Sequence, residues 1–252
     1  AYETEMIGRK DVEALLPNVR LGPDVVGASY SPIDGDANPL YLLRAMHAEF
    51  QRLGGRYLPR RRVGGIVKAS DGYELRTTNG TISAGKVVLA AGHGIRDLGP
   101  PVGLDIPIRP QRGHILVTER TMPLLPLPMS AFRQTAEGSI MLGVSAEEAG
   151  FDDRVSSATL RDIAARARRT IPALAGLRIV RSWAALRVLT PDKCPVYAES
   201  KSHPGVFAIA SHSGVTLAAA NASMSAEWIV DGRPPPEFTA FGLERFSVQA
   251  TA

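Results

Sequence analysis

One arginine of the C-terminal half stands in an apolar stretch, where Arg187 lies between Leu186 and Val188 and precedes the predicted turn Thr190-Pro191-Asp192. An unpaired guanidinium is costly among apolar side chains, so Arg187 needs an anionic partner. A guanidinium can hold a carboxylate through two parallel hydrogen bonds. The partner is therefore either the carboxylate of a small-molecule substrate or a protein carboxylate in a structural ion pair, and the local sequence leaves both open.

A second candidate is the turn Ser211-His212-Ser213-Gly214, which separates an apolar run at residues 206–210 from a helical pattern at residues 215–230. The run predicts a strand, and Asp231-Gly232 ends the predicted helix. The first N–H groups of a helix have no partner within it, and with the helix dipole they favour a negatively charged group. The turn is therefore either an anion-binding helix start or an ordinary connection between a strand and a helix.

A third candidate is the small-residue stretch Ala90-Ala91-Gly92-His93-Gly94, which follows the apolar run Val87-Val88-Leu89. A short, continuous apolar run predicts a strand that is buried on both faces of a parallel sheet. Nucleotides tend to bind at the carboxyl edge of such a sheet. Gly92, Gly94 and Gly99 do not have the spacing G-x-G-x-x-G, so these glycines do not by themselves predict a dinucleotide site.

Several other chemistries lack their sequence signatures. The five histidines do not have the spacing of metal ligands, so no metal site is predicted. The chain has neither a G-x-S-x-G hydrolase elbow nor a phosphate-binding P-loop. Its single cysteine, Cys194, rules out an intramolecular disulfide and is expected to be a small packed side chain.

The composition predicts a globular protein with a solvated surface. Hydrophobic residues make up 44% and charged residues 21% of the 252 residues, and the net charge is +4. A nucleic-acid-binding protein more often combines concentrated positive charge with aromatic residues, which are only 6% here. No apolar run reaches the roughly 20 residues that span a bilayer. We therefore expect no nucleic-acid partner, no membrane span and a cytoplasmic location, with peripheral attachment to the inner membrane as a variant.

The remaining pattern predicts the elements that hold these candidates. Asn79-Gly80 predicts a hairpin, because both turn positions favour positive φ. Residues 106–143 predict an antiparallel sheet that forms a separate subdomain, and residues 158–171 predict the helix that follows it. Residues 39–53 predict a helix with an apolar stripe at Leu43, Met46, Phe50 and Leu53. The predicted fold is therefore α/β, or α+β, with an inserted and mainly antiparallel β-sheet domain.

In their order along the chain, these segments resemble the FAD-dependent D-amino-acid oxidase superfamily, which includes glycine oxidase, sarcosine oxidase and D-amino-acid dehydrogenase. The resemblance spans nearly the whole chain. The segments that carry it are Ser31-Pro32-Ile33-Asp34-Gly35-Asp36, the run at residues 87–92, PIRPQRG at residues 107–113, the stretch at residues 183–192 with His212-Ser213-Gly214, and FGLERF at residues 241–246. The C-terminal segments are most similar to bacterial flavoprotein subunits of the hydrogen cyanide synthase and opine oxidase kind.

The resemblance implies an oxidoreductase in which a hydride passes from the α-carbon of an amino acid or related amine to FAD. It implies part of a Rossmann-like FAD-binding domain at residues 31–103 and 183–252. It also implies a substrate domain at residues 1–30 and 104–182. Relatives of this kind often work in hetero-oligomers and pass electrons to a second subunit or a respiratory chain.

The same resemblance implies roles for individual residues. Arg187 matches the arginine that holds the substrate carboxylate, and His212 matches a residue near the flavin. The residues that match cofactor-binding positions are Val63, Ala91, Gly92, Gly214, Val215, Thr216 and Leu217. Sarcosine oxidases attach their flavin to a cysteine aligned near Ala185, and this chain has none there, so non-covalent FAD is expected.

One part of the family pattern is absent from the 252 residues, namely the strand and G-x-G-x-x-G motif that bind the FAD pyrophosphate. The sequence therefore predicts an incomplete FAD-binding domain, whose remaining part belongs to a longer native protein or to a partner subunit. Two functions follow from this. The chain is either part of an active amino-acid or amine oxidoreductase, or a truncated, non-catalytic subunit that retains the fold for assembly. Retention of Arg187 and His212-Ser213-Gly214 favours the first.

Overall fold

The computed structural model describes residues 3–251. Five α-helices, α1 to α5, lie in this range at Arg9–Leu15, Pro39–Arg52, Ile95–Leu98, Ser157–Thr170 and Ala218–Asp231. Twelve strands, β1 to β12, lie there at Glu5–Gly8, Gly27–Tyr30, Val63–Lys68, Tyr73–Thr77, Gly80–Ala84, Val87–Leu89, Arg109–Arg120, Phe132–Gln134, Ser139–Leu142, Ile179–Leu189, Val196–Glu199 and Val206–Ala210. The mixture of helices and antiparallel sheets is the predicted one. None of these helices has the length and apolar character needed to cross a membrane.

The chain divides into two compact units. Unit 1 comprises residues 1–38 and 111–186, and unit 2 comprises residues 39–110 and 187–252. The domain borders expected from the sequence, at 30/31, 103/104 and 182/183, lie 8, 7 and 4 residues before the observed borders at 38/39, 110/111 and 186/187. This division reflects packing alone, so the assignment of FAD and substrate to the units stays a prediction.

Unit 1 is built on antiparallel sheets. β1 pairs with β2, and the larger sheet has the order β10-β7-β9-β8. Leu116 of β7, Leu142 of β9 and Phe132 of β8 are neighbours across that sheet and share one core with Ile163 and Ala167 of α4. The predicted helix at residues 158–171 is thus confirmed within one residue at each end, and its apolar side faces this core. On β10, the half-buried Trp183 lies under the guanidinium of Arg181, 5.5 Å from its carbon.

A charged network fixes β7 to the start of α4. Arg112 donates two hydrogen bonds to Oε2 of Glu147, at 2.6 and 3.1 Å, and also contacts Asp152 at 3.1 Å. His114 is completely buried, and its Nε2 accepts the backbone N–H of Ser156 at 3.0 Å. Its Nδ1 forms a hydrogen bond with Oγ of Ser145 at 3.2 Å and also lies 3.2 Å from Oε1 of Glu147.

This network predicts acid sensitivity of unit 1. The hydrogen bonds from Arg112 lower the pKa of Glu147 below its usual value, and Thr159 adds to the effect. A carboxylate whose folded-state pKa is depressed contributes stability above its unfolded pKa of about 4.3, and this stability is lost as the pH falls through the folded-state pKa.

We therefore expect Glu147→Gln to lower the free energy of unfolding by roughly 1–3 kcal/mol at neutral pH and to flatten its decline in acid. Urea unfolding, followed by circular dichroism at a series of pH values, measures both effects. Glu148→Gln, at the exposed neighbouring position, is the matched control. An unchanged acid decline in Glu147→Gln would contradict the assignment.

Unit 2 contains a three-stranded sheet with the order β11-β12-β6, in which β12 is parallel to β6 and antiparallel to β11. Alternate residues of β12 point to two different cores. Phe207 packs edge-on against Trp228 of α5, with ring centroids 5.0 Å apart, whereas Val206 and Ala208 face the opposite side of the sheet. Lys86 donates to the carbonyls of Ile229 and Val230 and so holds the last turn of α5 beside the start of β6.

Three sequence predictions for unit 2 need correction. β6 was expected to be buried on both faces, but Val88 is 39% exposed, because no described element fully covers its face of this edge strand. The hairpin is confirmed, but its two turn residues are Thr78 and Asn79 rather than Asn79 and Gly80, and Gly80, with a φ of +92°, is the first residue of β5. The last helix begins at Ala218 rather than at residue 215, because residues 214–217 form a separate turn.

The predicted helix at residues 39–53 is confirmed as α2 (Pro39–Arg52), but its apolar stripe is open in the described part of the chain. Leu43, Met46, Phe50 and Leu53 are all exposed, and no residue of α2 is buried. The stripe therefore contributes little to the described core. Near the C-terminal end of α2, Phe50 lies against the backbone of Gly55, and Arg52 pairs with Glu49 of the same helix.

Candidate functional site

Two of the candidate segments follow neighbouring parallel strands. Val87, Val88 and Leu89 of β6 pair with residues 206–208 of β12, so both strands end at the same edge of the sheet. Ala91 and Gly92 follow β6, and His212 follows β12. The carboxyl edge of parallel strands is where ligands bind in open α/β sheets, so topology alone brings these two segments to one edge.

Gly92 meets the strand that carries Arg187. It opens the 3-10 turn Gly92–Gly94 with a φ of +54°, a conformation that suits glycine. A Cβ added at Gly92 would lie 3.6 Å from Cγ2 of Val188, so the end of β10 packs beside this backbone. Val188 also packs against the core that contains β6 and β12. Because side chains alternate along a strand, Arg187 leaves β10 on the opposite face, half-buried.

The turn before α5 is open and polar. His212 is exposed, and its Nδ1 lies 3.1 Å from Oγ of Ser213. The backbone N–H of Leu217 donates to the carbonyl of Ser213 at 2.9 Å, which closes the turn before the helix begins. Gly214, Val215 and Thr216 are exposed along it. The residues predicted to be helical thus form a surface turn at the positive end of α5, where a negatively charged group is favoured.

A residue of β11 contacts the start of α5 and stabilises its position. The hydroxyl of Tyr197 donates to Oδ1 of Asn221 at 2.6 Å, and the Tyr197 ring stacks on Phe238 with ring centroids 3.8 Å apart. Burial raises the pKa of Tyr197, so its hydroxyl stays a proton donor at neutral pH. This contact links the first turn of α5 to the sheet and keeps the preceding turn at its edge.

Val63 lies in a different sheet from the other candidates. It begins β3, which forms a three-stranded antiparallel sheet with β4 and β5. The register of β3 against β4 shifts between Val63 and Gly65, so the strand is irregular at this residue. Helix α3, which follows the turn at Gly92, packs against β3 and connects this sheet to the edge described above.

Each of the two turns contains a glycine close to the carboxyl edge of the parallel strands. A Cβ at Gly92 would contact Cγ2 of Val188 at 3.6 Å, and one at Gly214 would contact Oγ of Ser211 at 3.9 Å, so neither glycine is crowded by its neighbours. The helix start can donate to a negatively charged ring edge. These features suit the flavin ring of FAD, whose reduced form carries negative charge at one edge. The G-x-G-x-x-G motif for its pyrophosphate is not among the 252 residues.

Sequence reasoning missed the residues that support these segments. Val188 was noted only as a neighbour of Arg187, although strand alternation could have marked it as the packing residue. Asn221 carried no signal, because its partner Tyr197 lies 24 positions away. Asp192 and Arg245 were each noted in separate segments, and their pairing, at 2.7 Å, could not be read from local sequence.

Comparison with known proteins agrees with this fold. The sequence model of the family described as FAD dependent oxidoreductase matches residues 1–228. A subunit of opine oxidase from Agrobacterium tumefaciens (strain Ach5) is 41% identical over 231 residues, which cover 91% of this chain and 62% of that protein. Hydrogen cyanide synthase subunit HcnC of Pseudomonas protegens is 28% identical over 151 residues, which cover 58% of this chain and 36% of that protein.

A solved structure gives the same architecture. Glycine oxidase from Geobacillus kaustophilus superposes with a TM-score of 0.87 at 24% identity, over 96% of this chain and 67% of that chain. At this identity the likeness shows the fold, which is the predicted one. The chain spans a little under two thirds of the length of the opine oxidase polypeptide.

Proposed function

Because the chain belongs to the FAD dependent oxidoreductase family, we propose that it forms part of an FAD-dependent enzyme that oxidises the C–N bond of an amino acid or related amine. The observation that carries this proposal is the position of Arg187. It lies next to Val188, which packs beside Gly92 at the carboxyl edge of the parallel strands. The backbone of Arg187, the proposed carboxylate-binding cation, therefore adjoins the residue that contacts the Gly92 turn within unit 2, and its side chain leaves β10 on the face opposite to Val188.

In this proposal each group has a separate task. The chemistry that FAD would supply here, once bound, is acceptance of a hydride from the substrate carbon. The guanidinium of Arg187 binds the substrate carboxylate with two hydrogen bonds and so orients the C–H bond to be broken. The turn at residues 213–217 and the start of α5 offer N–H donors to the cofactor edge that becomes negative. His212 borders that turn, Ala91 and Gly92 would meet the cofactor at the end of β6, and Val63 would meet it through its backbone in the neighbouring sheet.

We propose further that FAD is held without a covalent bond and that a second polypeptide takes part. The only cysteine, Cys194, lies in the turn after β10, and Ala185 occupies the position where a related class of flavoenzymes has its linking cysteine. The similarity to a protein whose name describes it as one subunit of opine oxidase supports a second polypeptide. That this partner accepts the electrons is part of our proposal.

Flavin reduction tests the proposed function. The protein is produced from its complete coding sequence, together with any subunit that co-purifies, and its visible flavin absorbance is followed without oxygen. We expect bleaching by at least one of glycine, sarcosine, D-amino acids, proline or opines, and none by the matching 2-hydroxy acids, which lack the nitrogen. Acid precipitation should then release the flavin into the supernatant.

Two outcomes would contradict this function. A preparation whose flavin is bleached by dithionite but by none of the amines is not an amine oxidoreductase. A preparation that contains no flavin, and takes up none when FAD is added, supports the alternative of a non-catalytic subunit.

A further inference from the structure

We propose that Arg245 is a positioning residue that keeps Arg187 in place by fixing the turn between β10 and β11, an inference that rests on the function proposed above. Residues 190–195 form this turn and follow the strand that carries Arg187. Arg245 lies in the C-terminal segment, 53 positions after Asp192. The two meet in unit 2, so a distant part of the chain determines the shape of this turn.

The turn has internal hydrogen bonds but also a strained residue. Thr190 is buried, and its Oγ1 donates to the carbonyl of Cys194 at 2.7 Å. Oδ1 of Asp192 accepts the N–H of Cys194 at 3.1 Å. Lys193 has a φ of +63°, a left-handed conformation that is unfavourable for a residue other than glycine. The turn therefore needs support from outside to keep this shape.

Arg245 supplies that support with its whole guanidinium. Nε and Nη2 donate to the two carboxylate oxygens of Asp192, at 2.7 and 3.2 Å. Nη2 also donates to the carbonyl of Pro195 at 2.9 Å. Nη1 donates to the carbonyls of Phe241 and Gly242, at 2.6 and 3.0 Å. The Arg245 side chain is 19% exposed and that of Asp192 is 39% exposed, so water reaches the ion pair from the Asp192 side, whereas the bonds to the three carbonyls are partly buried. Together these bonds join the turn to the C-terminal segment.

The pair is charged at neutral pH. The hydrogen bonds from Arg245 lower the pKa of Asp192 to about 2. Without the guanidinium, the carboxylate of Asp192 would lose its charged hydrogen-bond donor. The carbonyls of Pro195, Phe241 and Gly242 would lose theirs at the same time. The turn would then be expected to relax, because its remaining bonds are those within residues 190–195.

Relaxation of the turn reaches Arg187 through the end of β10. Leu189 is only 2% exposed and anchors the strand in the core, while Thr190 begins the turn immediately after it. Arg187 is two residues before Leu189, so its backbone position depends on both. Two-point binding of a carboxylate needs the guanidinium within about 0.5 Å of its place. Loss of Arg245 should therefore weaken carboxylate binding before it unfolds unit 2.

The test compares substrates with and without a carboxylate. In the complete protein, Arg245→Gln is expected to raise the KM for the amino acid identified by flavin reduction about 10-fold, with kcat changed less than about twofold. For the carboxamide of the same amino acid, which has no negative charge, kcat/KM should change less than about twofold. Arg245→Lys retains a positive charge next to Asp192 but cannot reach all the carbonyls. Its KM for the amino acid should lie between the values of Arg245→Gln and the wild type.

Glu244→Gln is the matched control. It lies next to Arg245, and its ion pair with Lys201, at 2.9 Å, is largely exposed. Its kinetic constants should equal those of the wild type, because an exposed pair contributes little.

A double variant separates positioning from general structural support. If Arg245 acts through Arg187, Arg245→Gln should not raise the KM of Arg187→Ala any further. An additional rise, or equal losses for the amino acid and its carboxamide, would overturn the inference. If instead Arg187→Ala alone leaves the KM unchanged, Arg187 does not bind the carboxylate and the inference about Arg245 fails, whereas failure of the proposed function is seen separately, as absence of flavin bleaching by any of the amines. Should Arg245→Gln not fold, Asp192→Asn removes the same ion pair and must give the same substrate pattern.

Discussion

Arg187→Ala is expected to raise the KM for an amino-acid substrate about 100-fold while changing kcat far less. A charge-assisted, two-point hydrogen bond in a half-buried position contributes roughly 3 kcal/mol, and about 1.4 kcal/mol corresponds to a factor of ten in affinity. The carboxylate is not part of the bond that breaks, so its contact with Arg187 is similar in the ground state and in the transition state. Loss of such a contact appears mainly in KM.

Two further variants make this prediction specific. Arg187→Lys retains the charge but not the planar fork, and we expect an intermediate KM. Arg181→Ala removes an exposed arginine from the same strand and should leave the kinetic constants unchanged. If Arg187 is a structural ion-pair partner instead, Arg187→Ala would lower the free energy of unfolding and leave KM as it was. Kinetics and denaturant unfolding, measured on the same preparations, distinguish the two roles.

Phe207→Ala is expected to lower the free energy of unfolding of unit 2 by about 3–5 kcal/mol. Phe207 is 1% exposed in the middle of β12, the central strand of its sheet. Its ring meets Trp228 edge-on at 5.0 Å, and Trp228 in turn contacts Phe238 at 5.7 Å. Truncation would therefore leave a cavity beneath α5 and remove an aromatic contact as well.

Val230→Ala is the matched control for this change. Val230 lies on α5 and is 74% exposed, so its truncation should alter the unfolding free energy by less than about 0.5 kcal/mol. Denaturant unfolding followed by circular dichroism gives both values. A loss below about 1 kcal/mol for Phe207→Ala would mean that this core readily rearranges to fill the space.

Local sequence patterns predicted those elements whose signal is itself local. Apolar periodicity gave α2 and α4 to within a residue at each end, and Asn79-Gly80 marked the hairpin between β4 and β5. The start of α5 was predicted too early because Leu217 donates to the carbonyl of Ser213, the same i to i−4 bond that a helix makes. Exposure of Val88 could not be foreseen, since burial depends on which elements cover a strand.

The residues of the candidate site also fall into two groups, those visible in local sequence and those that depend on the folded chain. Arg187, His212 and Gly92 were found because a cation in an apolar stretch and a glycine at a strand end are visible in sequence, and their roles stay predictions. The residues that hold them in place are joined by contacts across long stretches of chain, as Asp192 and Arg245 are. Their pairing follows from the path of the folded chain, which no short segment encodes.

The two tryptophans of the sequence make the two units separately observable. Trp228 lies in unit 2 and is 4% exposed, whereas Trp183 lies in unit 1, half-buried under Arg181. An indole shielded from water emits at shorter wavelength than one that water reaches. Each unit therefore contains one tryptophan, and the two should differ in the wavelength of their fluorescence emission maximum. Replacing either tryptophan by phenylalanine would leave a chain that reports on the opening of one unit, and a comparison of the two chains would tell whether the units open together or in turn.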